Sequence, residues 1–166
     1  MKKMLFCFIV LAGSLVFLAG CGATTLGVLN GQPVDPSDWD PTAYETVNNL
    51  GGVTMTVEEG TVSPGGLTLR FENQSGKECV YGEHYVLEKK NDGNWYRVPV
   101  AIEEEYGFED IGYLLPAGES AQWTVDWTWL YAKLERGDYR IVKDIYVPND
   151  SGAYDPYYLA AEFAIK

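Results

Sequence analysis

The sequence is poor in the residues that hydrolytic and zinc-dependent enzymes need, because its 166 residues include one histidine and three cysteines. A catalytic triad requires a histidine base, and a zinc site requires several His or Cys ligands at short spacing. His84 stands in an alternating segment that predicts a solvated strand position. No serine lies in a Gly-x-Ser-x-Gly nucleophile motif. The sequence therefore predicts a protein that is not an enzyme and has no catalytic residue, metal site or cofactor.

Disulfide bonds are also excluded as a source of stability. Cys7 lies in an N-terminal apolar segment, Cys21 directly follows that segment, and Cys79 stands alone in the rest of the chain. A single thiol has no intramolecular partner, so the fold depends on its apolar core. We predict that Cys79 is a small buried strand residue and not a reactive nucleophile.

Cationic residues are scarce, with 12 Lys and Arg against 24 Asp and Glu, and the formal net charge is −12. Removal of residues 1–20, which contain Lys2 and Lys3 but no acidic residue, leaves 10 cationic residues against 24 acidic ones, or −14. A surface this acidic excludes nucleic acid and anionic phosphate surfaces as partners.

One long apolar run is present, at residues 4–19, behind the cationic pair Lys2 and Lys3. This layout is typical of a secretory signal, and the run is shorter than the roughly 20 residues of a spanning helix. Residues 18–21 (LAGC) resemble the lipobox of bacterial lipoproteins, in which the cysteine sulfur receives a lipid and a peptidase cuts before it. We expect residues 1–20 to be a signal peptide and Cys21 to be the lipid attachment site. The alternative is an ordinary cleaved signal in which Cys21 is incidental.

Lipid on Cys21 would anchor the mature protein to the bacterial cell membrane on its extracytoplasmic side, since acyl chains hold a protein durably at a membrane surface. Residues 21–50 mix Gly, Pro, Thr, Asn and Asp with few periodic apolar residues, which indicates a lipidated N-terminus and flexible tether. Residues 51–166 form the predicted domain.

The domain has the alternation of apolar and polar residues that half-buried β-strands show. Val53, Met55 and Val57 alternate with polar residues, and an Asp92-Gly93 turn predicts a hairpin. No long helical period interrupts the pattern. About seven short strands with turns between them predict an all-β antiparallel sandwich, with strands near residues 53–57, 67–71, 78–89, 95–98, 123–127, 139–147 and 158–165. In the third strand, Tyr85 is expected to face inward and Glu88 outward.

Residues 134–139 (LERGDY) match the approach to the penultimate strand of immunoglobulin-like sandwiches. There a tyrosine hydroxyl bonds back to upstream backbone, forming a tyrosine corner. We predict that Tyr139 is the corner residue and that Gly137 permits the bend before it.

Further motifs extend the likeness over residues 53–166: LEKK at 87–90, DGNW at 92–95, LPAGE at 115–119, WTWLY at 127–131, GDYRIVK at 137–143 and AAEF at 160–163. With these motifs the chain resembles the bacterial immunoglobulin-like domain family found on surface lipoproteins. The resemblance implies an immunoglobulin-like sandwich that serves as a binding or structural module, and it supplies no catalytic residue. Residues 99–114, unusually acidic and aromatic, depart from the family.

Two segments carry more aromatic rings than loops usually do, and they are the candidate ligand contacts. Rigid rings on sandwich loops provide contact area at low entropic cost. The alternative is that the rings cap the ends of the core. The residues are Tyr106, Phe108, Tyr154, Tyr157 and Tyr158.

Hard-oxygen clusters at residues 148–155 and at Asp35, Asp38 and Asp40 raise Ca²⁺ binding as an alternative to solvated turns. Neither follows the EF-hand spacing, which favours the turns. The run 103–105 with Glu109 and Asp110 is expected to be a solvated acidic loop.

Together these features predict a lipid-anchored, extracytoplasmic immunoglobulin-like domain that binds an envelope protein or glycan or has a structural role. The alternative from another class is an immunoglobulin-fold inhibitor of an extracellular protease, and a metal-dependent enzyme or sensor is the third. The oligomeric state is not predicted.

Overall fold

The computed structural model describes residues 38–166 and two short upstream strands, β1 (Val28–Leu29) and β2 (Gln32–Pro33), which pair antiparallel. The predicted signal peptide (residues 1–20) and Cys21 lie outside the described residues. Asp35 of the upstream acidic cluster also lies outside them.

One sheet of the sandwich has three antiparallel strands. They are β3 (Val53–Val57), β4 (Gly66–Asn73) and β9 (Ser120–Asp126), in the order β3-β4-β9. Successive side chains of a strand point to opposite faces. Accordingly, Val53 and Met55 are buried while Thr54 between them is exposed. The alternation read from the sequence therefore gives the core face of this sheet.

The second sheet has six strands and is built around a long central strand. Strand β11 pairs with β10 along its whole length, and β6 and β5 share the opposite edge of β10. Strand β7 continues from β6, and β8 continues from β5. The strands are β5 (Cys79–Tyr81), β6 (Val86–Asn91), β7 (Asn94–Arg97), β8 (Tyr113–Leu115), β10 (Gly137–Pro148) and β11 (Tyr154–Ile165).

The two sheets enclose a single apolar core, and one four-residue helix, α1 (Thr128–Tyr131), follows β9. Trp127 stacks on Phe163, and Phe163 stacks on Tyr139, with ring centroids 5.5 and 5.7 Å apart. Each large apolar side chain that leaves water contributes about 1.5–3 kcal/mol to the gross stability. The predicted all-β immunoglobulin-like sandwich is confirmed, with nine strands in its two sheets where about seven were expected.

The third predicted strand, residues 78–89, is in fact two strands separated by residues 82–85. The side chain of Lys143, which points inward from β10, stabilises the backbone between these two strands. Its Nζ donates to the carbonyl oxygens of Gly82 at 2.7 Å and His84 at 3.0 Å, and it lies 3.6 Å from the centroid of the Trp123 ring. Desolvation by burial lowers the pKa of Lys143 to about 7. The buried amine thus satisfies two carbonyls that leave the ladder where the strand breaks.

The predicted corner is present at the start of β10. The Tyr139 hydroxyl donates to the carbonyl oxygen of Glu135 at 3.0 Å, which is the contact to upstream backbone that the motif predicts. Gly137 has a φ of +157°, and a Cβ there would lie 2.8 Å from Cε of Lys89. Burial raises the pKa of Tyr139 well above the ordinary tyrosine value.

Residues 40–49, here called the N-terminal strap, cross the outer face of the six-stranded sheet from β7 to β11. Thr42 N donates to the Trp95 carbonyl at 3.0 Å, and Asn48 N donates to the Tyr158 carbonyl at 2.6 Å. The Asn48 side chain accepts from Ala160 N at 2.9 Å. The sequence assigned these residues to a flexible tether. The packed region instead begins about ten residues earlier, because backbone and side-chain hydrogen bonds fix the strap to strands at both edges.

The strap covers an ion pair that the sequence did not predict. Glu88 was expected to face solvent, and although it lies on the outer face its side chain is 1% exposed. Arg140 Nε donates to Glu88 Oε2 at 2.6 Å, and Arg140 Nη2 donates to Thr42 Oγ1 at 3.0 Å. The Arg140 guanidinium also lies 4.7 Å from the centroid of the Trp95 ring. The outward position of Glu88 is therefore buried by the strap and paired with a cation.

Candidate functional site

A groove of about 470 Å³ opens on the outer face of the six-stranded sheet, beyond the strap. Its base is formed by β5 and by the outward side chains of β10, and its wall is the loop that precedes β8. We call it the Phe108 groove. Its lining residues are Val80, Tyr81, Gly82, Glu83, His84, Phe108, Glu109, Asp110, Ile111, Gly112, Asp144, Tyr146 and Tyr154.

The Phe108 groove combines apolar walls with acidic groups. Four of its lining residues are carboxylates, and none is Lys or Arg. Glu109 and Asp110 are exposed on the rim, and neither side chain has an ion-pair partner among residues 38–166. The groove therefore presents negative charge beside aromatic and aliphatic surface.

His84 and Asp144 meet at the base of the groove, where His84 Nδ1 lies 2.7 Å from Asp144 Oδ2. The His84 ring also contacts Phe108 edge to face, with centroids 5.2 Å apart. The His84 side chain is 44% exposed, in accord with its predicted outward position. Through these contacts, His84 connects the loop that precedes β8 to strand β10.

Glu83 points to the inner side of the same rim. Its carboxylate accepts from the Tyr113 hydroxyl at 2.5 Å and from Trp123 Nε1 at 3.4 Å. The hydrogen bond to Glu83 raises the pKa of Tyr113. Two donors thus hold the rim segment in place, in addition to the amine of Lys143 on its carbonyls.

Phe108 caps the end of the core and at the same time lines the groove. Its ring is partly buried and contacts Tyr85 edge to face at 5.4 Å. The Phe108 ring also contacts Trp129 at 5.7 Å and Tyr106 at 6.2 Å. Tyr106 and Trp129 are exposed, by 39% and 47%. The loop thus carries a capping ring, Phe108, next to two solvent-facing rings.

The rings of Tyr154, Tyr157 and Tyr158, which follow the turn between β10 and β11, lie in three different environments. Tyr154 is 56% exposed and lines the groove together with Phe108. Tyr157 faces inward and packs against the core. Tyr158 lies on the outer face and contacts Tyr44 of the strap, with centroids 5.1 Å apart. The structure therefore brings Tyr154 and Phe108 to one site, and it gives Tyr157 and Tyr158 packing partners.

The other candidates from the sequence, Cys79 and the turn at residues 148–155, have structural roles. Cys79 is fully buried, and burial raises the pKa of its thiol. Asn149 Oδ1 accepts from Ser151 N at 3.1 Å and from Ala153 N at 3.1 Å, and Asn149 Nδ2 donates to Asp155 at 2.9 Å. These bonds organise the turn between β10 and β11. Within the described part of the chain, no group of three or more His, Cys, Asp or Glu side chains is arranged to hold a metal ion.

Several groove residues were not predicted from the sequence, among them Asp144, Tyr146 and Ile111. Asp144 and Tyr146 belong to one face of a long strand, and alternation alone marks them as outward but not as part of a groove. One signal was available: Gly82, followed by Glu83 and His84, interrupts the alternation of the third predicted strand, and a glycine in a strand often marks a break.

Two antiparallel sheets packed around one core, with a tyrosine corner leading into the central strand, define the immunoglobulin-like class of β-sandwich. Residues 49–164 match the family model described as "Bacterial Ig-like domain". This protein belongs to that family.

Among solved structures, a similar chain is the "ASH / PapD-like domain of human CEP192 (PapD-like domain 7)". The likeness covers 73% of this chain and 91% of that chain, at 15% sequence identity and a TM-score of 0.31. A search of curated protein sequences gave no match. No helix in the described residues is long and apolar enough to cross a membrane.

Proposed function

We propose that this protein is a lipid-anchored, extracytoplasmic binding module of the bacterial cell envelope, which holds a partner protein or glycan in the Phe108 groove. The anchor is supported by the sequence of the first 21 residues, where a cationic pair, an apolar run and the LAGC motif stand in the order of a lipoprotein signal. The binding role is supported by membership in a family of immunoglobulin-like modules.

The observation that carries the binding proposal is the groove itself. Its volume of about 470 Å³ lies in the range of known ligand sites, and it combines apolar walls with a few polar groups. The exposed rings at its mouth and on the adjoining loop are the residue types that dominate binding energy at interfaces.

The same groove supports a role without catalysis. His84 and Asp144 form a pair that resembles part of a hydrolytic triad, but the groove lining contains no serine, threonine or cysteine to act with it. Covalent catalysis of the triad type needs such a nucleophile within reach of the histidine. The pair instead joins the loop wall to the sheet.

The protease-inhibitor alternative receives no support from the shape of the loop at residues 99–112. Val100, Ile102 and Phe108 pack against the core, and Ala101 N donates to the Leu130 carbonyl at 2.7 Å. An inhibitory loop must protrude to enter an active cleft, whereas this loop is held to the core by side chains at both ends of its exposed residues 103–107.

The anchor is tested by Cys21→Ser in cells grown with a radioactive fatty acid. We expect the wild-type protein to be labelled and the variant to lose both the label and lipoprotein-type processing. Cys79→Ser, which changes the other cysteine outside the signal, is the control and should remain labelled. Label that persists in Cys21→Ser would refute the anchor.

The binding site is tested by capture of envelope proteins and glycans on soluble residues 22–166. The wild-type domain is compared with Tyr154→Ala, which alters the groove mouth, and with Val62→Ala, an exposed apolar residue outside the groove. We expect Tyr154→Ala alone to lose the captured species. Capture that is unaffected by Tyr154→Ala would place the binding surface elsewhere.

A further inference from the structure

We infer that the Phe108 groove binds an extended, basic segment of a partner protein, with a Lys or Arg side chain seated between its acidic rim and its aromatic walls. This inference rests on the proposed function, because it names the ligand chemistry of the same groove. Three features of the groove point to this ligand: the charge of its rim, the nature of its walls and the sheet edge beside them.

The negative charge of the rim favours a cationic ligand. Asp144 is already engaged with His84, and Glu83 with Tyr113. Glu109 and Asp110 are left on the rim, exposed and without an ion-pair partner in the described residues. Clefts lined by charge of one sign with low-dielectric walls concentrate ligands of the opposite sign. An anionic ligand is disfavoured by the same field.

The walls suit the stem and head of a long basic side chain. Phe108, Tyr146 and Tyr154 present aromatic surface, and Ile111 presents an aliphatic one. Cations are attracted to the faces of aromatic rings, and the methylene stems of Lys and Arg pack on apolar surface while their charged heads stay near polar groups. The groove thus offers both kinds of contact that one Lys or Arg side chain makes.

The neighbouring sheet edge selects a peptide over a free amine. Strand β8 is an edge strand of its sheet and pairs with β5 on one side only. Leu114 of β8 is 61% exposed and pairs with Val80, which lines the groove. An extended peptide that adds a strand at such an edge gains main-chain hydrogen bonds and places alternate side chains over the adjoining pocket. Strand β7, the edge strand on the same side of β10, is less accessible because Asp40 and Thr42 of the strap bond to it.

The test measures binding of a fluorescein-labelled synthetic peptide that alternates Lys with Val over six central positions. The purified full chain is held in a neutral detergent at 50 mM salt, and fluorescence anisotropy gives the dissociation constant. A peptide with Glu in place of Lys is the charge control. We expect the Lys–Val peptide to bind at least about tenfold more tightly than the Glu–Val peptide, and its affinity to fall as salt rises.

Two pairs of matched variants locate the contact. Glu109→Gln with Asp110→Asn removes two charges from the rim, and Glu103→Gln with Glu104→Gln removes two from the same loop outside the groove. We expect the rim variant to weaken Lys–Val binding about tenfold and the loop variant less than about twofold. Tyr154→Leu should weaken binding severalfold and Tyr106→Leu should not, since both rings are exposed but only Tyr154 lines the groove. Unchanged thermal unfolding verifies that each variant is folded.

Three outcomes would overturn the inference. The Lys–Val peptide fails to outbind the Glu–Val peptide, or the rim and loop variants weaken it equally, which would indicate nonspecific attraction to an acidic surface. In the third outcome, free lysine amide competes as well as the peptide, and the ligand is then a small amine. None of these results depends on the anchor or on capture of an envelope partner, so the proposed function can stand where the basic-peptide inference fails.

Discussion

The ion pair between Arg140 and Glu88 provides the sharpest test of whether the N-terminal strap buries this part of the sheet. Arg140 and Glu88 are 7% and 1% exposed, and their side chains are joined at 2.6 Å. Removal of one partner from a buried pair leaves the other charge unsatisfied, which costs about 3–5 kcal/mol. We therefore expect Glu88→Leu and Arg140→Met each to lower the free energy of unfolding by about that amount. The loss is a large part of the roughly 5–15 kcal/mol available to a domain of this size.

The double variant should be much less damaged than the sum of the two single variants, because replacement of both charges leaves no uncompensated ion. From the same range, the coupling energy should be at least about 2 kcal/mol. The double variant should still have a lower free energy of unfolding than the wild type, since Arg140 also donates to Thr42 Oγ1 and to the Tyr44 carbonyl of the strap. Urea unfolding of soluble residues 22–166, followed by tryptophan fluorescence, gives all four free energies.

The chain supplies a matched control of the same residue types. Arg70 Nε lies 2.9 Å from Glu72 Oε1, but these side chains are 42% and 49% exposed. Exposed pairs contribute about 0–1 kcal/mol, so the coupling energy between Arg70→Met and Glu72→Leu should be below about 1 kcal/mol. Additive losses in the Arg140 and Glu88 cycle, within about 0.5 kcal/mol, would refute the burial of that pair by the strap.

Three further predictions concern the corner, the rings and the buried amine. Tyr139→Phe removes the hydroxyl that bonds to backbone and should cost about 1–3 kcal/mol, and an unchanged urea midpoint would contradict the corner. Phe108→Ala and Tyr157→Ala should both lower the melting temperature, because both rings pack on the core, whereas ligand affinity should fall for Phe108→Ala alone. Burial holds the pKa of Lys143 at about 7, below its ordinary value of 10.5, so from pH 7 upwards the unfolded chain binds more protons at this residue and stability rises with pH. We expect up to about 2 kcal/mol more stability at pH 9 than at pH 7, read from urea unfolding, and the same rise in Lys143→Met would contradict the assignment.

The fold class followed from the sequence because strand alternation and turn chemistry are local properties. Val53 and Met55 lie on the core side as their spacing predicts, and Asp92-Gly93 forms the turn of a hairpin, with positive φ at both residues. Tyr139 could be assigned in advance because its hydrogen bond reaches back four residues to Glu135. Features that depend on a few neighbouring residues can therefore be predicted from the local sequence.

The burial of Glu88 and the Phe108 groove were decided by tertiary structure alone. Glu88 lies on the face that alternation assigns to solvent, and it is buried because a segment about forty residues upstream crosses that face. The groove joins Phe108 to Asp144 and Tyr154, which lie on the hairpin of β10 and β11, more than thirty residues further along the chain. No local period encodes such a meeting, because it depends on how β5 and β6 divide one edge of β10 and on where the loop before β8 then packs.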